Sequence, residues 1–209
     1  MEEYYIPTSD GETEFVEKRS RFIGHVAHVT TEEAARDFIQ SMKKRYHDAR
    51  HNCWCYLIRE EGVVRYSDDG EPQGTAGQPM LNVFVKENIT DVVCVVTRYF
   101  GGILLGAGGL VRAYTRSAKD ALDEAGISVV RRWTAFDVPC SYNLFARLQQ
   151  ETEGMSGIVT DTEYGADVTL KVLLPEERAE DYIARIIDIT AGTVHPVQTG
   201  TEEKPVPLS

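Results

Sequence analysis

The chain has 209 residues, enough for one large or two small domains and for burial of about 70% of the unfolded chain's surface without disulfide or metal staples. Hydrophobic residues at 42% and charged residues at 26% exclude a disordered tail, a collagen and a coiled-coil rod. The net charge of −11 argues against indiscriminate binding to nucleic acid or anionic membranes, so an anion site has to be a local basic patch, and 15 of the 22 basic residues lie in residues 1–130.

In chain order, Glu12 to Val29 reads as extended and is interrupted by Glu17-Lys18-Arg19, which marks a bend or hairpin. Thr30 with Glu33 three residues on is a capping-box pattern, so a helix is expected from there to about Tyr46, with Ala35, Phe38, Ile39, Met42 and Tyr46 on its buried face. Asn52 to Ile58 and Val63 to Tyr66 form a hairpin, and Ser67 to Gly77 is a turn-rich loop. A short helix follows from about Gln78 to Glu87, with Pro79 in its first turn. Val92 to Val96 is continuously apolar, the mark of a central strand covered on both faces. After the glycine-rich stretch Gly101 to Gly109, a helix runs to Ala125 and stops at Gly126.

Beyond Gly126 the pattern restarts: strand at Ser128 to Pro139, helix at Tyr142 to Glu153, strands at Ile158 to Tyr164 and Ala166 to Leu174, helix at Glu176 to Ile189, strand at Thr193 to Gly200. That order, βαββαβ, is a ferredoxin-like module. The fold class is α+β with two domains, residues 1–130 and 131–209, and Thr201 to Ser209, with Pro205 and Pro207, is expected to fray. No apolar run reaches the roughly 18 residues of a membrane span, and the first five residues lack a signal-peptide pattern, so a soluble cytoplasmic protein is expected. Four cysteines are too few for a disulfide framework, and no disulfide-linked partner is expected.

Three clusters could carry chemistry. Arg98, Gly101, Gly102, Gly106, Gly108, Gly109 and Arg112 lie between the central strand and a helix N-terminus, where free N–H groups and arginines suit a phosphate. A Walker A loop is excluded because no Gly-Lys-Ser/Thr occurs, and a dinucleotide fingerprint fails at Val111. The bland account is that the glycines only let helix and strand pack closely. Arg112, Arg116 and Lys119 share one helix face opposite Leu110, Tyr114, Ala118 and Leu122, either an RNA-facing row or a solvated face.

The second cluster is the loop with Asp68, Asp69, Glu71 and Thr75. Its carboxylates could hold Mg²⁺ or act as acid and base, or simply build a turn. The third is His47, His51, Cys53 and Cys55, a weak zinc candidate because Cys-x-Cys lacks a second ligand pair. Cysteine-nucleophile chemistry with His47 or His51 as base has no third orienting residue. No cofactor is expected.

Four blocks, Lys18-Arg19-Ser20-Arg21-Phe22, His47-x-Ala49-x-His51-x-Cys53, Asp68-Asp69-Gly70-Glu71-Pro72-x-Gly74-Thr75-Ala76-Gly77-x-Pro79, and Val96 to Tyr114, resemble the YigZ/Impact family in order and spacing. The resemblance implies a first domain with the β-α-β sandwich of a small-subunit ribosomal protein's second domain and of elongation factor G domain IV. It implies a second, ferredoxin-like domain similar to domain V of that factor. It also links the chain to translational control, which in eukaryotic members runs through a ribosome-associated activator of a stress kinase. Those members carry an extra N-terminal domain with no counterpart here, so their protein partner is not expected. A proline dipeptidase label on some relatives finds no paired metal–carboxylate set to support it.

The leading expectation is a non-enzymatic protein that binds the ribosome or a structured RNA and regulates translation. The phosphates would be gripped by Lys18, Arg21, Arg98, Arg112, Arg116 and the glycine loop. The rival is an enzyme or binder of a phosphorylated small molecule, acting between the glycine loop and the Asp68–Glu71 loop.

Overall fold

The computed structural model describes residues 3–208, which divide into two units: Tyr4–Val129 with 205–208, and Val130–Lys204 with Glu3. In the first unit, strands β2 (Gly11–Glu17), β3 (Ser20–His28), β4 (His51–Ile58), β5 (Val63–Ser67) and β6 (Val92–Tyr99) form an antiparallel sheet of order β2-β3-β6-β4-β5. Because β3 and β4 both run antiparallel to β6 between them, they are parallel to each other and are joined through helix α1 (Glu32–Arg45). This is the β-α-β unit.

Strand β6 is buried on both faces, as its unbroken apolar sequence requires. Val92, Cys94 and Val96 pack towards helices α2 (Gly77–Lys86) and α3 (Ala107–Ala125), and Val93 and Val95 pack on the α1 side with Ala35 and Ile39. Helix α3 lies so close to the sheet that a Cβ on Gly24 would stand 2.5 Å from the Ser117 carbonyl oxygen.

Helix α1 starts one residue later than the Thr30–Glu33 pattern implies. Thr31 is the cap, in extended conformation, and its hydroxyl accepts from the Ala34 amide at 3.2 Å. Of two adjacent threonines, only this one reaches an amide of the first turn, and Glu61 of the β4–β5 turn sits 3.3 Å from the Glu32 amide in addition.

On β3, His25 is buried, with Nε2 3.2 Å from the Tyr46 hydroxyl and Nδ1 3.5 Å from the Glu12 carboxylate. Burial holds its pKa below the ordinary histidine value, with Arg45 acting in the same direction and Glu12 opposing. The folded state therefore favours neutral imidazole. The stability that follows is complete above about pH 6.5 and is lost as the pH falls from there towards the folded pKa. Denaturant titrations of His25→Gln at pH 7.5 and 5.5 should show a smaller loss on acidification than the parent; equal losses would remove His25 from the account.

The second unit contains β7 (Ile127–Cys140, from Val130 onwards), α4 (Tyr142–Gly154), β8 (Ile158–Tyr164), β9 (Val168–Pro175), one 3₁₀ turn (Glu176–Arg178), α5 (Ala179–Ile189) and β10 (Val197–Pro207, up to Lys204). Strand β9 pairs antiparallel with both β7 and β8, and β10 pairs with β7, the connectivity and pairing of a ferredoxin-like module. Phe136, Val138, Leu148, Leu170, Tyr182 and Ile186 form its core, and the Tyr182 and Thr152 hydroxyls are 2.8 Å apart inside it.

One expectation about the ends needs correction. Thr201 to Pro207 belong to β10 rather than to a frayed tail, and the Leu208 amide donates to the Ile127 carbonyl at 2.8 Å; Ser209 lies outside the described residues. The short strand β1 (Tyr4–Pro7) has no strong periodic signal in the sequence and is not expected from it. Among the described residues no helix is long and apolar enough to cross a membrane.

Candidate nucleic-acid interface and adjoining recess

The four sequence blocks converge within the first unit. At the end of β6 the Arg98 guanidinium is buried, with one terminal nitrogen 2.7 Å from Glu71 Oε1 and the other 3.3 Å from the Ser20 hydroxyl. Tyr114 of α3 donates to the same Glu71 oxygen at 2.8 Å, and His51 Nε2 stands 3.9 Å from it. Ser20, in turn, accepts from the Gly101 amide at 3.2 Å. One residue from each block is thereby tied to a central carboxylate or to its arginine, and burial pushes the Tyr114 phenol far above its ordinary pKa.

The Asp68–Thr75 loop is largely built by its own carboxylates. Asp68 accepts from the amides of Gly74, Ala76 and Gly77 at 2.8–3.0 Å and so satisfies the start of α2, whose preceding residue, Ala76, makes no side-chain cap. Asp69 binds the Asn52 amide at 2.8 Å and Lys43 Nζ at 2.7 Å, and the Thr75 hydroxyl donates to the Pro72 carbonyl. The three carboxylates thus diverge, and only Glu71 turns inward.

His47, His51, Cys53 and Cys55 do not assemble. His47 is exposed against the Lys44 carbonyl, His51 Nδ1 is 2.9 Å from the Asp69 carbonyl, and Cys53 donates to the Asp68 carbonyl. Among the described residues no group of three or more His, Cys, Asp or Glu side chains is placed to hold a metal. Burial raises the thiol pKa of Cys53 and Cys55, so neither offers a thiolate at neutral pH.

Two of the recesses on this unit adjoin these residues. The first, about 240 Å³, is lined by Phe15, Glu17, Lys18, Leu105, Gly109, Arg112 and Arg116 among others, and it gathers three of the basic side chains singled out in the sequence beside one carboxylate. Lys18 lies in the left-handed turn between β2 and β3, with φ 45°, and α3 presents the two arginines one turn apart. Arg116 is 4.2 Å over the Phe15 ring and bonds Asp120 at 3.2 Å; among the described residues neither Lys18 nor Arg112 has an ion-pair partner. Lys119 of the same row is engaged elsewhere, by Glu87 and Asp123.

The second recess, about 320 Å³, is lined by His51, Glu71, Arg98, Phe100, Leu104 and Ala107 among others. Arg98 therefore does not join the first group: it is held by Glu71, and exposed solvent contact is nearly absent. Arg21 is also separate, 2.7 Å from Glu14 and with its guanidinium 5.6 Å from the Tyr99 ring centre.

The glycines divide by role. A Cβ on Gly101 would lie 2.0 Å from the Arg19 backbone, so that residue is glycine for packing. Gly102 and Gly106 hold φ of 83° and 73°, the left-handed turns that lead into α3. Gly108 and Gly109 sit in the first turn of α3, where Arg112 reaches within 3.6 Å of the Cβ position of Gly108. Ser20, Phe100 and Tyr114 fall inside the sequence blocks without being singled out as site residues, and Arg50 and Leu104 are passed over; apolar side chains beside turn glycines were the available signal.

A two-domain α+β protein with a basic recess and a buried Glu71–Arg98 pair is the class that fold and site define. Residues 18–122 match the model of the Impact N-terminal domain, and residues 138–193 match a domain of unknown function, DUF1949. The IMPACT family member YvyE of Bacillus subtilis is 36% identical over 92% of this chain and 89% of its own length. The IMPACT family member YigZ of Escherichia coli is 34% identical over 93% and 97%. A crystal structure described as that of a hypothetical protein superposes with a TM-score of 0.59 at 33% identity, covering 95% of this chain and 98% of that one. The chain belongs to the IMPACT family.

Proposed function

We propose that this protein is a non-enzymatic regulator of translation that acts in the cytoplasm by binding ribosomal or other structured RNA through its phosphates. The observation that carries the reading is the first recess, where Lys18, Arg112 and Arg116 converge on a chain of net charge −11. In an acidic protein, a local cluster of this kind orients a polyanion on one surface while the rest repels it. Phosphate contacts from arginine and lysine supply affinity without base readout. The translational control implied by the family resemblance points the same way.

The test is cosedimentation with purified ribosomal subunits over a salt series, comparing the parent with Lys18→Ala/Arg112→Ala/Arg116→Ala. The parent should bind at low salt with log affinity falling linearly against log salt. The triple variant should lose most binding and about 2–3 units of slope, since each phosphate contact contributes about 0.7–0.9. Salt-insensitive binding, or a triple variant that binds like the parent, would overturn the proposal.

A further inference from the structure

We infer that the free edge of strand β5, together with a recess beside it, is a docking site for an acidic peptide that joins the first sheet as a further strand. Strand β5 ends the order β2-β3-β6-β4-β5 and, among the described residues, pairs with β4 on one side only. In an antiparallel edge strand alternate residues aim both backbone groups outward, where an extended peptide can take them. The strand, Val63-Val64-Arg65-Tyr66-Ser67, keeps an unbroken register with β4 and has neither proline nor bulge to protect that edge. Its one charge is Arg65, which repels a basic strand and admits an acidic one.

The two faces of β5 specify the partner. Arg65 stands across from Tyr56 and therefore on the α1 side of the sheet. There a recess of about 350 Å³ is lined by Arg36, Gln40, Lys43, Trp54, Tyr56 and Arg65 among others, with no carboxylate among its described lining residues. On a chain of net charge −11 such a donor-rich wall favours a negatively charged occupant. Glu32 holds Arg36 and Asp69 holds Lys43, each at 2.7 Å. Among the described residues, by contrast, the Arg65 guanidinium has only the Val64 carbonyl, at 3.0 Å, and the indole N–H of the partly exposed Trp54 has no hydrogen-bond partner.

On the opposite face Val64 and Tyr66 are 45% and 47% exposed. A strand laid along β5 would turn carboxylates towards Arg65 and the recess on one face and apolar side chains towards Val64 and Tyr66 on the other. The partner that fits is an extended peptide alternating Glu or Asp with apolar residues. Single-stranded RNA could use the cations and the indole, but it would leave the backbone edge and the Val64–Tyr66 face unused. A second copy pairing edge to edge would set Arg65 against Arg65, which is unfavourable.

Fluorescence anisotropy of a labelled peptide of about seven residues alternating Glu and Val, titrated with the full chain, tests this. The peptide should bind, and the amides of the 63–67 strand should exchange more slowly in the complex. A Lys/Val peptide and a fully N-methylated Glu/Val peptide should each bind at least tenfold more weakly, the first through charge and the second through lost main-chain hydrogen bonds. Arg65→Glu changes an exposed residue; it should weaken the Glu/Val peptide at least tenfold and strengthen the Lys/Val peptide. The Lys18→Ala/Arg112→Ala/Arg116→Ala protein should bind the peptide as the parent does, so failure of ribosome binding leaves this inference intact. No binding at about 1 mM peptide, full binding of the N-methylated peptide, or unchanged affinity in Arg65→Glu would each overturn it. Displacement by an oligouridylate as effective as by unlabelled peptide would reassign the site to RNA, and a dimer split by the peptide would reassign the edge to a second copy; either result would overturn it too.

Discussion

Glu71→Ala is expected to destabilise the Tyr4–Val129 unit by about 3–5 kcal/mol, the usual effect of leaving one member of a buried ion pair without its partner. The carboxylate receives Arg98 at 2.7 Å and Tyr114 at 2.8 Å, and both side chains of the ion pair are under a tenth exposed. Removing it strands a guanidinium and a phenol inside the protein. Arg98→Ala should cost a similar amount, because the charge then stranded is Glu71. The double variant should cost clearly less than the sum, since neither charge remains. Denaturant unfolding of the four proteins supplies the cycle, and strictly additive losses would mean that the pair is not coupled. The result also bears on how variants are read. A loss of RNA binding in Arg98→Ala would report on the fold, whereas the same loss in Arg112→Ala would report on the surface.

Gly101→Ala is expected to cost about 3 kcal/mol, at the upper end of ordinary overpacking, and Gly102→Ala only about 1–2. The two glycines are neighbours in one loop, but a Cβ on Gly101 would meet the Arg19 carbonyl carbon and oxygen at 2.0 Å, backbone atoms that cannot rotate away. A Cβ on Gly102 meets nothing within 4 Å and carries only the strain of φ 83°. Moving the Arg19 turn also moves Lys18, so Gly101→Ala should weaken ribosome binding together with stability. If both alanine variants instead unfold at the parent's denaturant concentration and only ligand binding falls, the glycines serve close approach of a ligand rather than packing.

These two cases show why the candidate site is only partly legible in the chain. That Arg98, Glu71, Ser20 and His51 belong to recurring blocks is visible in the sequence, whereas their mutual partners are 20 to 78 positions apart and no local pattern pairs them. Arg98 and Arg112 look alike in sequence, two arginines flanking a glycine loop. The sheet buries one against Glu71, while the helix surface leaves the other beside Lys18 and Arg116. The acidic loop reads as a ligand-binding cluster because composition does not reveal that Asp68 spends its oxygens on the amides around the start of α2.

The elements themselves were written locally. The unbroken apolar run of β6 marks a strand covered on both faces, the apolar stripe of α3 marks a helix with one buried side, and the βαββαβ order follows from alternating periods and turn residues. Period and capping act within a few residues, so the chain alone determined which segments become helix or strand, and in what sequence. Only the continuation of β10 beyond Gly200 escaped, because Thr201-Glu202-Glu203-Lys204-Pro205 is polar, exposed and interrupted by proline, and it becomes strand only where β7 supplies hydrogen-bond partners from about seventy residues away. Burial, charge pairing and the two recesses are likewise long-range consequences of packing. Only the tertiary structure decided which arginine is a strut and which face is free to bind.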